Sequence, residues 1–200
     1  MKIFKLVIIP VILILFITGC THTTRVLLTP DYPAGIFSAA ELASLDKSVQ
    51  FIKGDFEDKR ADTSVYATFT QQIHTYQLIA LMPVEDAIYH GISVMLKQAG
   101  HSLSDNNEGQ IKINLQLLSS RASRNAGLVS VGATSSIQIK LDFIDSISDK
   151  LIYSQIYNGN DERSQAMIGL MDMVEKSIDA SIIDCIYNVA NDKLLTQALN

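Results

Sequence analysis

Residues 111–117 read Ile111-Lys112-Ile113-Asn114-Leu115-Gln116-Leu117, and residues 137–143 read Ile137-Gln138-Ile139-Lys140-Leu141-Asp142-Phe143. In both stretches every second side chain is apolar and every intervening one polar, the period of a strand with one buried and one wet face. One-sided strands belong to antiparallel sheets, because parallel sheets are covered on both faces. The segment between them, Ser119 to Ser136 with Arg121, Arg124, Gly127 and Gly132, prolongs both into a long hairpin. A turn over Asp145 to Lys150 leads to a third strand, Leu151 to Asn158, and the three make a meander.

On either side of these strands the spacing changes from two to three and four. Val84, Ile88, Ile92, Met95 and Ala99 line one stripe of a helix that Pro83 opens and Gly100 ends, with Glu85 and Asp86 facing the exposed amides of its first turn. Ile168, Met171, Val174, Ile178, Ile182, Cys185 and Val189 mark a second amphipathic helix. Upstream, Val49, Phe51 and Phe56 define a strand over 48–57 with a bulge at Gly54, and a second extended stretch runs from Thr75 to Leu81. The order is β-β-α-β-β-β-α. A sheet with one apolar face and two helices with one apolar stripe each have one economical solution, a two-layer α+β sandwich, mainly antiparallel, with both helices on one face and a single domain over 48–200.

The chain starts with Lys2 and Lys5 and continues in an uncharged apolar run from Leu6 to Ile17. That run is short of the ~20 residues a membrane span requires and has the form of an export signal over 1–19. It ends in Ile17-Thr18-Gly19-Cys20, which resembles the lipobox of bacterial lipoproteins. The resemblance implies cleavage before Cys20, acylation of its thiol and amine, and permanent membrane attachment through the lipid. Thr21 follows the cysteine in place of the aspartate that retains such proteins at the inner membrane, which points to the outer membrane, periplasmic face. Residues 20–47, with a threonine tract, Pro30, Pro33 and Gly35, read as a tether lying along the domain, with a short turn of helix near Leu42.

Removal of Lys2 and Lys5 leaves 14 basic against 21 acidic side chains, a net charge near −7. Such a surface offers no basic field for nucleic acid or anionic headgroups. His22, His74, His90 and His101 are scattered without metal-ligand spacing, so no metal or other cofactor is expected. No G-x-S-x-G motif marks a nucleophile, and the glycines at 127 and 132 lack the Gly-Lys-Ser/Thr ending of a phosphate loop. With Cys20 acylated, Cys185 has no partner for a disulfide, and it reads as a small core side chain. Two groups remain as candidate contacts: Asp58, Arg60 and Asp62 at a strand end, which would serve equally as a salt-bridged turn, and Arg121 with Arg124 on the long hairpin.

The run Asp58-Lys59-Arg60-Ala61-Asp62, the helix end Leu96-Lys97-Gln98-Ala99-Gly100, the meander and the aromatic stretch Tyr153 to Gly159 together resemble the YajG family of bacterial lipoproteins. The resemblance implies the same fold and location, and no known reaction. The expected role is non-catalytic binding or envelope assembly, through a sheet edge or the polar sheet face. A carrier of lipid or cell-wall fragments between helices and sheet is the alternative, and a hydrolase the third reading.

Overall fold

The computed structural model describes residues 21–200 apart from Ala39, Asp46, 72–73, Asn107, 127–129 and 167–169. Cys20 and the export segment, Gly127 of the hairpin and Ile168 of the last long helix lie outside the described residues. The architecture is α+β, with strands β1 (Thr21–Val26), β2 (Gln50–Asp58), β3 (Ala67–Gln71), β4 (His74–Ala80), β5 (Ser102–Ser104), β6 (Ile111–Ala126), β7 (Ser130–Asp145) and β8 (Leu151–Ala166). Helix α1 (Val84–Gln98) stands between β4 and β5, and α2 (Leu170–Ala190) and α3 (Lys193–Leu199) close the chain.

The meander is the backbone of the fold. β6, β7 and β8 have 16 residues each and pair antiparallel along their lengths, within a five-stranded sheet of order β5-β2-β6-β7-β8. The apolar residues of the two quoted stretches form its inner face, where Ile113, Leu115, Ile139 and Leu141 are at most 1% exposed. Helices α1 and α2 lie on that face. Ile88, Ile92 and Met95 of one and Val174, Ile178, Ile182 and Val189 of the other are also at most 1% exposed. The apolar stripes of helices and sheet are thus spent on each other, at about 1.5–3 kcal/mol for each large side chain removed from water. The expected bulge in β2 is present, as a register shift between Lys53 and Phe56 that brackets Gly54.

The strands are divided between two sheets rather than gathered in one. β2 pairs parallel with β6 as far as Asp58 opposite Leu117, and there the chain leaves the sheet. It returns as β3, which pairs with β4, while β1 joins β4 from the other side in a three-stranded sheet of order β1-β4-β3. β3 has only Phe69 as a large apolar residue, and β5 has only three residues, so neither gives a periodic signal. β8 continues to Ala166, beyond the expected Asn158, because its polar residues 159–166 pair with the upper half of β7.

Residues 21–47 contribute large side chains to the core. Val26, Leu28 and Phe37 are fully buried and Leu42 is 1% exposed, in a short turn at Glu41–Ser44. This strap crosses the helix layer and is tied to α1, where the Phe37 amide donates to Gln98 Oε1 and Gln98 Nε2 donates to the Pro33 carbonyl. His101, which follows Gly100 at the end of α1, pins three elements: its Nδ1 accepts from the Val49 amide and its Nε2 donates to the Leu42 carbonyl. These two bonds require the tautomer with its proton on Nε2.

Beneath the strap, burial pushes the Asp179 carboxyl up to about 6, and the charge of Glu175 acts in the same direction. Its Oδ1 is buried without a hydrogen-bond partner. The folded state therefore binds this proton more tightly than the unfolded chain. Stability from this group is greatest near pH 4 and is lost as pH rises to about 6. Asp179→Asn should raise stability at pH 7 by about 1 kcal/mol, after allowance for solvent screening of a half-buried group, and by nothing near pH 4. Urea denaturation at the two pH values checks this.

Candidate functional site

Along β6 the bulge between Leu117 and Ser119 reverses the alternation. Before it the odd-numbered side chains are buried; after it Ala122 is 5% exposed and faces inward, while Arg121 and Ser123 face out. Ser123 and Thr134 share a hydrogen bond of 2.5 Å across the outer face, and Gln138 Nε2 donates to Asn158 Oδ1 at 2.7 Å. The outer face of the upper meander is therefore paved mainly with hydroxyl and amide groups, and Glu162, opposite Thr134, adds a carboxylate. The rim strand β3, through Thr68 and Thr70, walls it on one side and leaves a cleft of about 670 Å³.

Arg121 stands at the centre of this face. It lines the large cleft and two smaller hollows, one of about 290 Å³ reaching Arg60 and Asp62 and one of about 240 Å³ reaching Gln138 and Asn158. The three make one polar trough across β6, β7 and β8. Among the described residues Arg121 forms no ion pair. Its planar fork of donors is free for a carboxylate, a phosphate or a carbonyl.

The other candidate residues are placed differently. Arg124 is opposite the buried Ala133, so it faces inward, and its Nε is buried without a hydrogen-bond partner. A spacing of three in a strand puts two side chains on opposite faces, so Arg121 and Arg124 do not act together. Arg60 is 9% exposed, and its donors are engaged within the protein. Nε and Nη2 grip both oxygens of Asp58, and Nη1 donates to the carbonyls of Val65 and Tyr66 and to Ser120 Oγ. Burial works to raise the Asp58 carboxyl, but the hydrogen bonds and charge of Arg60 together outweigh it and hold the group below the ordinary carboxylate range. The Asp58–Arg60 pair is a clasp for the loop between β2 and β3. Asp62 closes a turn of that loop by accepting from the Ser64 hydroxyl and amide, which hold its carboxyl low as well.

Chemically the trough offers hydrogen-bond donors and acceptors and one free guanidinium for binding. Burial pushes the Cys185 thiol up to about 12, with a contribution from the charge of Asp184, and this side chain is 1% exposed. Tyr153 and Tyr157 both donate to Asp192 Oδ2 at 2.8 Å and so fasten β8 to α3. Among the described residues no three His, Cys, Asp or Glu side chains cluster to hold a metal ion. No described helix is long and apolar enough to cross a membrane.

The free edge of β8 is partly closed. Asp184 on α2 accepts from the Asn160 amide at 3.0 Å, and Asn188 donates to the Asn158 carbonyl at 2.9 Å. These side chains occupy the backbone groups a strand from a partner would use. The polar face, rather than this part of the edge, is the accessible surface.

A Xanthomonas campestris protein of known crystal structure is 12% identical, covers 88% of this chain over 97% of its own, and superposes with a TM-score of 0.55, a likeness of fold. A putative neuraminyllactose-binding hemagglutinin homolog from Helicobacter pylori is 12% identical over 88% of this chain and 92% of its own, at 0.47. A minor lipoprotein from Acinetobacter baumannii is 13% identical over 76% and 90%, at 0.37. No curated protein matches the sequence. Residues 47–200, the meander, both long helices and the Asp58–Arg60 clasp included, match a family described as uncharacterized lipoprotein, and the chain belongs to that family of membrane-anchored proteins.

Proposed function

We propose that this protein is a non-catalytic binding module of the bacterial envelope, YajG-like, held by lipid on Cys20 at the periplasmic face of the outer membrane, and that it meets an envelope protein partner through the trough around Arg121. One observation carries the reading: an exposed guanidinium without an ion pair at the centre of a cleft of about 670 Å³ whose lining of hydroxyls and amides also includes the carboxylates of Asp161 and Glu162. Elsewhere on the wet face of the sheet the cation is paired, as Lys140 is with Asp142 on β7. Site-specific photocrosslinking from position 136, within the trough, should capture an envelope protein in cells, and Arg121→Glu should abolish the adduct while leaving expression unchanged. Absence of an adduct, or an adduct indifferent to Arg121→Glu, counts against the trough as the site.

The anchor has its own test. Cys20→Ser should yield a chain that incorporates no labelled fatty acid and retains its export segment. Ordinary labelling of that variant would rule out Cys20 as the acylated residue.

A further inference from the structure

At the open end of the small sheet, on the same side as the buried Val26, Phe69 and Leu78, stands a pair of imidazoles that neither the core nor the trough uses. His22 on β1 and His74 on β4 are 52 residues apart in sequence, and the parallel register that sets His22 beside Tyr76 brings their rings together. His22 Nε2 is 3.2 Å from His74 Nδ1, with ring centroids 5.1 Å apart. The His22 ring is held from below. His22 stacks on Tyr76 at 5.4 Å with a 22° interplanar angle, and Tyr76 stacks on Phe69 at 5.0 Å and 12°, a ladder across all three strands.

We propose that His22 and His74 form a binding site for a divalent transition-metal ion, Cu²⁺ ahead of Zn²⁺. Imidazole nitrogens bind such ions at about 2.0–2.1 Å, so two ligands of one ion stand about 3.3 Å apart at a tetrahedral angle and about 2.9 Å apart at a right angle. The observed 3.2 Å falls between these values. In the free protein the same two atoms share a hydrogen bond, which one ring donates. That ring moves its proton to its other nitrogen as the ion enters, so both present a lone pair and no proton is released. The His22 ring, held by stacking on Tyr76, loses little freedom on binding. With two protein ligands the remaining positions belong to water or to a second molecule, and the Irving–Williams order then favours Cu²⁺. The ion would staple β1 to β4 at the start of the domain.

Isothermal titration of the full-length protein in detergent micelles with Cu²⁺, in a non-chelating buffer, should show one equivalent bound. His22→Gln and His74→Gln should each weaken it at least about tenfold, since losing a ligand costs more than losing a second-shell partner; His90→Gln should leave it unchanged. Amide exchange over Thr21–Val26 should slow with Cu²⁺ in the parent protein and not in either ligand variant. Absence of stoichiometric binding would overturn the proposal, and so would binding that survives His74→Gln.

Discussion

Arg60→Ala should lower the unfolding free energy by about 3–5 kcal/mol, the usual cost of removing one partner from a buried ion pair. The side chains of Arg60 and Asp58 are 9% and 18% exposed, so water rescues either only in part when the other goes. The substitution leaves Asp58 as an unpaired carboxylate and strips donors from the Val65 and Tyr66 carbonyls and from Ser120 Oγ. These acceptors are where the β2–β3 loop is fixed to β6, so the small sheet should loosen with it. Arg60→Lys should recover little, because an ammonium cannot grip both carboxylate oxygens and reach two carbonyls at once. The clasp also sets an acid limit. The Asp58 carboxyl is held below its ordinary value, so its contribution is present above the unfolded value near 3.8 and is lost as pH falls through the lower folded one. Urea midpoints for parent and variant should therefore converge in strong acid. Equal midpoints at pH 7 would show that the clasp is ornamental.

The meander and both long helices were legible in the sequence because their burial is periodic. Ile111 to Leu117 and Ile137 to Phe143 alternate without a fault, and Ile88, Ile92 and Met95 keep one helical face. What escaped has no such signal. β1 is built from Thr21, His22, Thr23, Thr24 and Arg25, and only Val26 is buried; its place comes from pairing with β4, a contact more than fifty residues away. The upper half of β8 is polar on both faces and is a strand only because β7 holds it. The trough was half visible. Arg121 is legible as a cation on the hairpin, but the bulge after Leu117 decides which residues share its face, and a bulge without a glycine leaves no mark in composition. The odd spacing of Arg121 and Arg124 already placed them on opposite faces of a strand. For Asp58 and Arg60 the sequence allowed a contact or a salt-bridged turn, and the hydrogen bonds to Val65, Tyr66 and Ser120 place them in the clasp.

Gly159→Ala should cost about 3 kcal/mol or more, at the upper end of what overpacking costs, although the substitution adds one methyl group to an ordinary strand. A Cβ at Gly159 would stand 1.9 Å from the Ser181 carbonyl oxygen and 2.6 Å from Cys185 Cβ. The nearest atom is backbone, so no rotamer relieves the clash, and α2 must move away from β8. That movement would reach the Asp184 and Asn188 contacts on the β8 edge and the packing of Ile178 and Ile182, because all lie on the same helix. The small side chain at position 185 has the same cause: α2 crosses β8 at Gly159 backbone to backbone, and a larger residue than Cys185 would hold the two apart. Gly100 supplies the control. Its φ of 89° is the left-handed conformation, and nothing lies within 4 Å of a Cβ built there, so Gly100→Ala pays only the conformational cost of about 1 kcal/mol. One glycine is required for space and the other for its dihedral angle. Denaturation midpoints should separate the two variants clearly, and a Gly159→Ala loss no larger than that of Gly100→Ala would mean that α2 can slide on the sheet without penalty.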